Sequence, residues 1–169
     1  VRSDKLIRTD AQFQAANPDM ETTIRLTCDN LSLLLAEGVV PVVTGFIGAT
    51  EDGAVTTLGR EGSDYSAVIV AVALDADEVW ICTDVNGVMT TDPRIAANAR
   101  TLPTIAYREI AELSSAGAKV LHPKAIIPIM ERGIPMWVRN TFNPDGPATQ
   151  VVEDSNSKIQ NVGAKAVAV

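Results

Sequence analysis

The sequence predicts an α/β protein with a mostly parallel sheet flanked by helices. Apolar residues make up 46% of the chain but aromatic residues only 4%. The core must therefore be built from Val, Ile, Leu and Ala, which is typical of buried parallel sheets. Segments of helical period alternate with short runs of β-branched residues. The 169-residue length suits one domain. We assign residues 1–152 to this domain and 153–169 to a linker and a terminal strand-like segment.

The first predicted elements are a helix and a strand. From Met20 to Gly38 apolar residues recur near the helical period, and the terminal glycine supplies a stop. The valine-rich run 39–48 predicts a buried strand that ends in a glycine-bearing turn. A polar tip at 51–53 and a short strand around Val55 then predict a hairpin-like excursion.

The following segments repeat the helix-then-strand order of a parallel α/β sheet. Residues 63–74 are apolar nearly all round, which predicts a helix buried against the sheet. Residues 78–83 predict a strand, and ligands gather at the carboxyl ends of such strands. Further helices are predicted over 107–113 and 120–133, and a strand over 135–140.

Charge and cysteine content limit the function classes. The net charge is −7, with acidic residues spread along the chain, so we expect no nucleic-acid partner. No window approaches the roughly 18 apolar residues that cross a bilayer, and the N-terminus lacks a secretory pattern. We therefore expect no membrane partner and a cytoplasmic location. Cys28 and Cys82 are predicted to be buried, reduced thiols.

A glycine-rich turn at residues 56–67 leads into the second helix. Its glycines allow backbone amides to approach a ligand closely, and Ser63 or Asp64 is predicted to cap the helix. The helix amino terminus favours an anion, and Arg60 adds a fork of donors for a phosphate or carboxylate. The turn thus predicts an anion cradle, with a purely structural loop as the alternative because such turns are a weak signal.

Two further clusters carry polar side chains. The loop 83–94 follows a strand and holds two carboxylates, an arginine, several hydroxyls and a turn glycine. Its alternative is a surface loop of Asx-turns. The segment 117–124 holds two lysines and the only histidine, His122. A packed or capping role is the alternative for His122, whereas Lys119 is the better candidate for contacting a phosphate.

These clusters form four motifs in a fixed order. The sequence reads T-T-L-G-R-E-G-S-D-Y-S-A at 56–67, T-D-V-N-G-V-M-T-T-D-P-R at 83–94, G-A-K-V-L-H-P at 117–123 and N-T-F-N-P-D-G-P-A-T at 140–149. Together they resemble the second half of the catalytic domain of aspartokinases, within the amino acid kinase family. The G-A-K-V-L-H-P element separates aspartokinases from the acetylglutamate, glutamate and uridylate kinases that share the fold.

The resemblance implies transfer of the γ-phosphoryl group of ATP to the side-chain carboxylate of L-aspartate, with ATP and Mg²⁺ as cofactors and no covalent enzyme intermediate. Such a transfer depends on positioning and on neutralising phosphoryl charge. By resemblance, Arg60 holds the aspartate carboxylate, assisted by Gly62 and Ser63. Asp64 positions groups around the transferred phosphate or its magnesium, so Arg60 and Asp64 are the implied catalytic residues.

The resemblance also implies a set of nucleotide contacts: Thr83, Asp84, Met89, Arg94, Lys119 and Val120. Thr83 and Asp84 border the adenosine, and Arg94 faces the nucleotide phosphates. Lys119, with Val120 beside it, reaches the ATP from the far side. No residue is assigned as a dedicated metal ligand.

The sequence departs from the family pattern at several positions. Glu61 stands where the pattern has glycine, beside the implied phosphate site. Met89 replaces a usual aromatic residue, and residues 115–116 are small where the pattern has two bulky aromatics. Asn86 in place of aspartate and Ala148 in place of glycine are expected to be tolerated.

Nothing in the sequence resembles the glycine-rich K-F-G-G loop of the family or its regulatory ACT domains. We therefore expect this chain to supply the nucleotide-binding half of an aspartokinase, and to work as a homo-oligomer or with a partner chain that supplies the N-terminal half. The alternative is a catalytically silent ATP-binding or interaction module derived from an aspartokinase.

Overall fold

A computed structural model of the chain describes residues 1–117, 121, 123–153 and 166. The chain divides into two compact units, Val1–Ala76 and Asp77–Val169. The predicted linker and terminal segment, 153–169, lie outside the described residues except for residues 153 and 166.

The first unit contains a short 3₁₀ helix at Ser3–Lys5, two α-helices and two short strands: α1 Met20–Ala36, β1 Ile47–Ala49, β2 Val55–Thr57 and α2 Gly62–Ala73. Both helices lie within two residues of their predicted bounds. Asp19 caps α1, since its carboxylate accepts a hydrogen bond from the Thr22 amide. The helices pack against each other, and α2 contributes five side chains to the core of the unit: Tyr65, Val68, Ile69, Val72 and Ala73.

The predicted hairpin-like excursion is confirmed. β1 and β2 pair antiparallel, with Ile47 opposite Thr57. On the other edge of β1, Ala49 forms a parallel bridge with Arg8. The Thr9 amide donates to the Ala49 carbonyl, and the Ala49 amide donates to the Ile7 carbonyl, both at 2.9 Å. The start of the chain therefore runs parallel to β1.

The prediction of a buried strand is wrong for residues 39–46. This segment has no assigned strand, and the side chains of Val40 and Val42 are 84% and 82% exposed. A strand requires neighbours that satisfy its backbone groups. Among the described residues, only Val1 makes backbone hydrogen bonds to residues 40–44.

The described part of the second unit combines a four-stranded sheet with two helices: β3 Val79–Thr83, β4 Thr104–Ala106, α3 Tyr107–Ser115, α4 Pro123–Arg132, β5 Met136–Asn140 and β6 Thr149–Val152. The strand order is β3-β5-β6-β4. The pairs β3–β5 and β4–β6 are parallel and the pair β5–β6 is antiparallel. The predicted mostly parallel sheet is thus confirmed, although β4 and β6 were not predicted.

One face of this sheet is buried. Ile81, Val138 and Val151 alternate with more exposed neighbours along their strands, and α3 contacts α4, β4 and β6. At the start of α3 the buried Tyr107 hydroxyl donates to the Ile134 carbonyl. Burial, with a smaller contribution from Glu153, raises the pKa of Tyr107 to about 12. The phenol is therefore a neutral donor at physiological pH.

The opposite face of the sheet carries both tryptophans. The Arg139 guanidinium lies 4.2 Å from the ring centroid of Trp80 and 5.4 Å from that of Trp137, within range of a cation–π interaction. Cys82 on the same face is exposed, so its predicted burial is wrong. Cys28 is half-buried, and its thiol donates to the Ala73 carbonyl. No helix in the described ranges has the length and apolar character needed to cross a bilayer.

Candidate functional site

The loop between β2 and α2, called here the Arg60 loop (residues 58–64), is shaped by two left-handed residues. Gly59 has φ +87° and Glu61 has φ +56°. Glu61 is the N-cap of α2 and makes no side-chain capping bond. The predicted capping by Ser63 or Asp64 is wrong, because both residues already lie in the first turn of the helix.

The start of α2 presents unbonded amides. The Gly62 amide donates to the Gly59 carbonyl at 3.1 Å, whereas the amides of Ser63 and Asp64 have no hydrogen-bond partner among the described residues. Free amides at a helix amino terminus form an anion-binding site together with the helix dipole. The Arg60 side chain is 76% exposed beside them.

Asp64 is half-buried at the same helix start. Burial raises the pKa of its carboxyl group, and the negative charge of Glu61 raises it further, while a hydrogen bond from Ser63 acts in the opposite direction. Within the described ranges Asp64 has no ion-pair partner. A partly desolvated carboxylate without a cation is suited to face a bound metal ion or a donor group of a ligand.

Glu61 lies between the two implied catalytic residues. Its Oε1 atom is 3.8 Å from Nε of Arg60, and its side chain is 32% exposed. It therefore pairs loosely with the Arg60 guanidinium and repels the Asp64 carboxylate. Its left-handed backbone is a conformation that glycine adopts without strain.

Three residues outside the predicted set support the Arg60 loop. A Cβ at Gly45 would lie 3.1 Å from the Ser63 Cα, and a Cβ at Gly62 would lie 2.8 Å from Cδ2 of Phe46. The Ser66 hydroxyl donates to the Ser63 carbonyl and accepts from the Phe46 amide. A glycine within a strand-like pattern often marks a close approach of another backbone segment. The glycine at position 45 was therefore the feature of the sequence that could have indicated this contact.

The loop after β3, called here the Asp84 loop (residues 83–94), begins with exposed polar groups. The Thr83 hydroxyl donates to the Asp84 carboxylate at 3.2 Å. Arg94 makes a bidentate pair with Asp92, whose carboxylate also accepts from the Arg94 amide. The Asx-turn alternative is therefore correct for Asp92, and that turn holds the exposed Arg94 guanidinium in place.

Met89 and the third motif complete the predicted nucleotide set. Met89 is half-buried and forms an antiparallel bridge with Thr101. Lys119, Val120 and His122 lie outside the described residues.

The Asp84 loop is braced by the fourth motif, whose role the sequence did not reveal. The Asn86 carboxamide oxygen accepts from the Asn140 side chain at 2.8 Å. The buried Thr149 hydroxyl accepts from the Val88 amide at 2.8 Å and donates to the Leu102 carbonyl at 2.6 Å. Asn86 stands where the family pattern has aspartate, and its carboxamide keeps an acceptor oxygen for this bond.

The structure thus gathers Arg60, Gly62, Ser63 and Asp64 in the first unit, and Thr83, Asp84, Met89 and Arg94 in the second. In the described part of the first unit, an open depression of about 480 Å³ lies between Thr9, Ala11 and residues 50–52. It contains none of the predicted site residues.

Comparison with known proteins gives consistent results. The profile of the amino acid kinase family matches residues 4–140. The lysine-sensitive aspartokinase 3 of Escherichia coli is 43% identical over 147 residues, covering 87% of this chain and 32% of that protein. Aspartokinase 1 of Bacillus subtilis is 42% identical over 154 residues, covering 89% of this chain and 38% of that protein. The chain spans about a third of the length of these relatives.

Solved structures show the same relationship. The crystal structure of E. coli aspartokinase III in complex with aspartate and ADP has a TM-score of 0.86 at 40% identity, covering 93% of this chain and 35% of that chain. The UMP kinase of Ureaplasma parvum has a TM-score of 0.56 at 19% identity, covering 75% of this chain and 53% of that chain. The latter likeness concerns the fold alone.

Proposed function

The chain belongs to the amino acid kinase family, and from that premise we propose that it supplies the nucleotide-binding half of an aspartokinase. The reaction is phosphorylation of the L-aspartate side-chain carboxylate by ATP, giving 4-aspartyl phosphate. The observation that carries the proposal is the Arg60 loop, where unbonded amides, an exposed arginine that pairs only loosely with Glu61, and a half-buried carboxylate meet at one helix start.

Arg60 and the amides of Ser63 and Asp64 form the anion-binding part of this proposed site. A guanidinium provides paired donors that match a carboxylate, so Arg60 is assigned to L-aspartate, with Gly62 and Ser63 assisting. The relative that was solved with aspartate and ADP binds both kinds of ligand, which supports this substrate pair for the present chain.

Asp64 is assigned a positioning role toward the transferred phosphoryl group. Its half-buried carboxylate, without a cation among the described residues, fits a position facing Mg²⁺. When bound with ATP, Mg²⁺ neutralises charge on the phosphate oxygens. The protein's own contribution is to keep Asp64 at the helix start and to hold the substrate carboxylate beside it.

The second unit is assigned to the nucleotide. Thr83 and Asp84 provide hydroxyl and carboxylate oxygens suited to a ribose, and Met89 provides apolar contact. Arg94, held by Asp92, provides a cation for the phosphates. Lys119 and Val120 remain part of the proposal by resemblance.

The decisive experiment combines binding and turnover. We expect calorimetry to detect Mg-ATP binding by this chain. A hydroxamate assay should detect aspartyl phosphate when a fragment carrying the missing part of an aspartokinase catalytic domain is added. Arg60→Lys serves as the matched variant, since it keeps the charge but loses the fork and should raise KM for aspartate. Absence of Mg-ATP binding would refute the nucleotide assignment, and binding without turnover in the completed domain would favour a silent module.

Replacing Glu61 is expected to improve this site. Glu61→Gly removes the strain of a left-handed L-residue, which costs about 1–2 kcal/mol. Part of this stabilisation is offset because glycine raises the conformational entropy of the unfolded chain. We expect a net stabilisation of roughly 0.5–1 kcal/mol in urea unfolding. Loss of the competing carboxylate should lower KM for aspartate roughly 2- to 5-fold, the range of an exposed ion pair.

Glu61→Gln is the matched control because it removes the charge and keeps the left-handed backbone. It should reproduce the KM change without the stabilisation. An unchanged KM in both variants would mean that Glu61 does not compete for Arg60 when substrate is bound.

A further inference from the structure

We propose that the phenyl ring of Phe142 stacks on the base of the bound nucleotide. The loop after β5, called here the Phe142 loop (residues 141–146), then forms one wall of the base pocket. The inference rests on the proposed function in one respect, since its ligand is the ATP assigned above to the second unit. It adds a ligand contact from the fourth motif, to which that assignment gives none.

The Phe142 ring has no packing role in the fold. It is 85% exposed, the largest fraction for a large apolar side chain among the described residues. A ring left in water adds nothing to the apolar area buried on folding. Single exposed apolar residues are common on protein surfaces, so the significance of this one depends on its position.

That position is the sheet edge that carries the proposed nucleotide contacts. β3 and β5 are parallel, and Thr83 at the end of β3 lies opposite Asn140 at the end of β5. The two loops that follow begin side by side, since the Thr141 amide donates to the Thr83 carbonyl at 2.8 Å. Ligands of such sheets bind outside the carboxyl ends of the strands. Phe142 is therefore next to the strand end that presents Thr83 and Asp84.

The Phe142 loop is fixed to the Asp84 loop on both sides of the ring. The side chains of Asn140 and Asn143 both donate to the Asn86 carboxamide oxygen, at 2.8 Å and 3.4 Å. The Asn143 amide donates to the Asn140 carbonyl at 3.2 Å and closes a β-turn.

The turn also holds the backbone of Phe142 itself. The Phe142 amide donates to the Asn140 carboxamide oxygen at 2.9 Å. Because the exposed ring is mounted on a backbone that is already ordered, a ligand that stacks on it incurs little further ordering cost.

The proposed nucleotide set needs such a ring. Among its described members Thr83, Asp84 and Arg94 are polar, and Met89 alone is apolar. A purine base has two flat faces to cover, and an aromatic side chain stacks favourably on either. Phe142 supplies a rigid, flat, apolar surface at the edge where the set begins.

The test measures binding of Mg-ATP to the full chain by calorimetry. The proteins are the wild type, Phe142→Ala, Phe142→Tyr and Ile127→Ala. Phe142→Tyr keeps the aromatic face and is the conservative variant. Ile127 is 51% exposed on α4, so Ile127→Ala is the matched control for loss of an exposed apolar side chain. Both positions are exposed, and circular dichroism will check that the variants fold.

We expect Phe142→Ala to weaken Mg-ATP binding about tenfold, the effect of losing one base–aromatic stack. Phe142→Tyr and Ile127→Ala should bind as the wild type does. A second readout is the proton spectrum of the nucleotide, in which a stacked ring shifts the adenine H2 and H8 resonances upfield. That shift should be present with the wild type and with Phe142→Tyr, and be reduced with Phe142→Ala.

Four outcomes would overturn the inference: equal affinity of the wild type and Phe142→Ala, equal weakening by Ile127→Ala, equal weakening by Phe142→Tyr, and an upfield shift that Phe142→Ala retains in full. Absence of Mg-ATP binding by the wild type would refute the nucleotide assignment and this inference together.

The remaining outcomes separate this inference from the proposed function. Binding of ATP that depends on Phe142, without aspartyl phosphate from the completed domain, would refute the kinase assignment and leave the stacking contact intact. An active kinase in which Phe142→Ala leaves KM for ATP unchanged would refute the stacking contact and leave the kinase assignment intact.

Discussion

The Gly87→Ala variant should lose about 2–5 kcal/mol of stability, the largest loss expected from a glycine-to-alanine change among the glycines that the structure describes. Gly87 has φ +87°, a conformation that costs an L-residue about 1–2 kcal/mol. Its new Cβ would lie 2.5 Å from Oγ1 and 2.8 Å from the backbone nitrogen of Thr149. Relief of that overlap requires movement of a buried strand, at a further cost of about 1–3 kcal/mol.

The same substitution should also impair the Asp84 loop. The Thr149 hydroxyl that would be displaced holds the Val88 amide and the Leu102 carbonyl. We therefore expect weaker Mg-ATP binding at temperatures where the variant is still folded. Urea unfolding and calorimetric titration measure the two effects.

Gly117→Ala is the control for the cost of the positive φ angle without steric overlap. Gly117 has φ +99°, and among the described residues no atom would lie within 4 Å of its added Cβ. It should lose only about 1–2 kcal/mol. Equal losses for the two variants would show that the contact with Thr149 relaxes freely.

The Asp64→Asn variant should abolish most activity of the completed kinase while leaving the fold at least as stable. Removal of a preorganised charged group from a phosphoryl-transfer site is expected to reduce kcat about 10²- to 10³-fold. Asparagine keeps the shape of the side chain, so a decrease in kcat would show the contribution of the negative charge of Asp64. Retention of wild-type kcat would exclude Asp64 from the site.

The stability effect has a defined pH dependence. Burial holds the pKa of Asp64 above its usual value of about 3.9, so the folded state favours the protonated form. The wild type therefore loses stability as pH rises from the usual pKa through the raised pKa. Asparagine does not titrate, so the free energy of unfolding of the variant should rise relative to that of the wild type across this window. The difference should persist up to neutral pH.

Urea unfolding between pH 4 and 8 measures this difference. Asp29→Asn is the control in the same unit, because Asp29 is 64% exposed on α1 and far in sequence from the Arg60 loop. It should leave kcat unchanged. A gain that is constant from pH 4 upward would mean that the Asp64 carboxyl is ionised throughout this range.

Long periodic segments were predictable from the sequence, whereas short strands were not. The apolar spacing of α1 and the apolar run of α2 each extend over several turns, so their helices were predicted within two residues. β4 and β6 have three and four residues, too few to establish a period of two. The antiparallel pairing of β5 with β6 therefore could not be anticipated.

The error at residues 39–46 and the unpredicted backbone conformation of Glu61 have tertiary causes. The valine-rich run has the composition of a buried strand, but burial requires neighbours that the sequence pattern does not specify. At Glu61 the motif differs from the family pattern, but the sequence does not show that this residue adopts a left-handed backbone conformation. The pairing of Thr149 with Val88 links residues 61 positions apart, beyond the range of any local pattern.

The location of both tryptophans on one sheet face provides an intrinsic fluorescence probe. Trp80 and Trp137 are the only tryptophans in the sequence, and both belong to the Asp77–Val169 unit. Fluorescence excited at the red edge of indole absorption therefore follows the unfolding of this unit alone, while far-ultraviolet dichroism follows the helices of both. Coincident transitions would show that the halves unfold as one cooperative system, and separated transitions would yield the free energy of each half from a single titration.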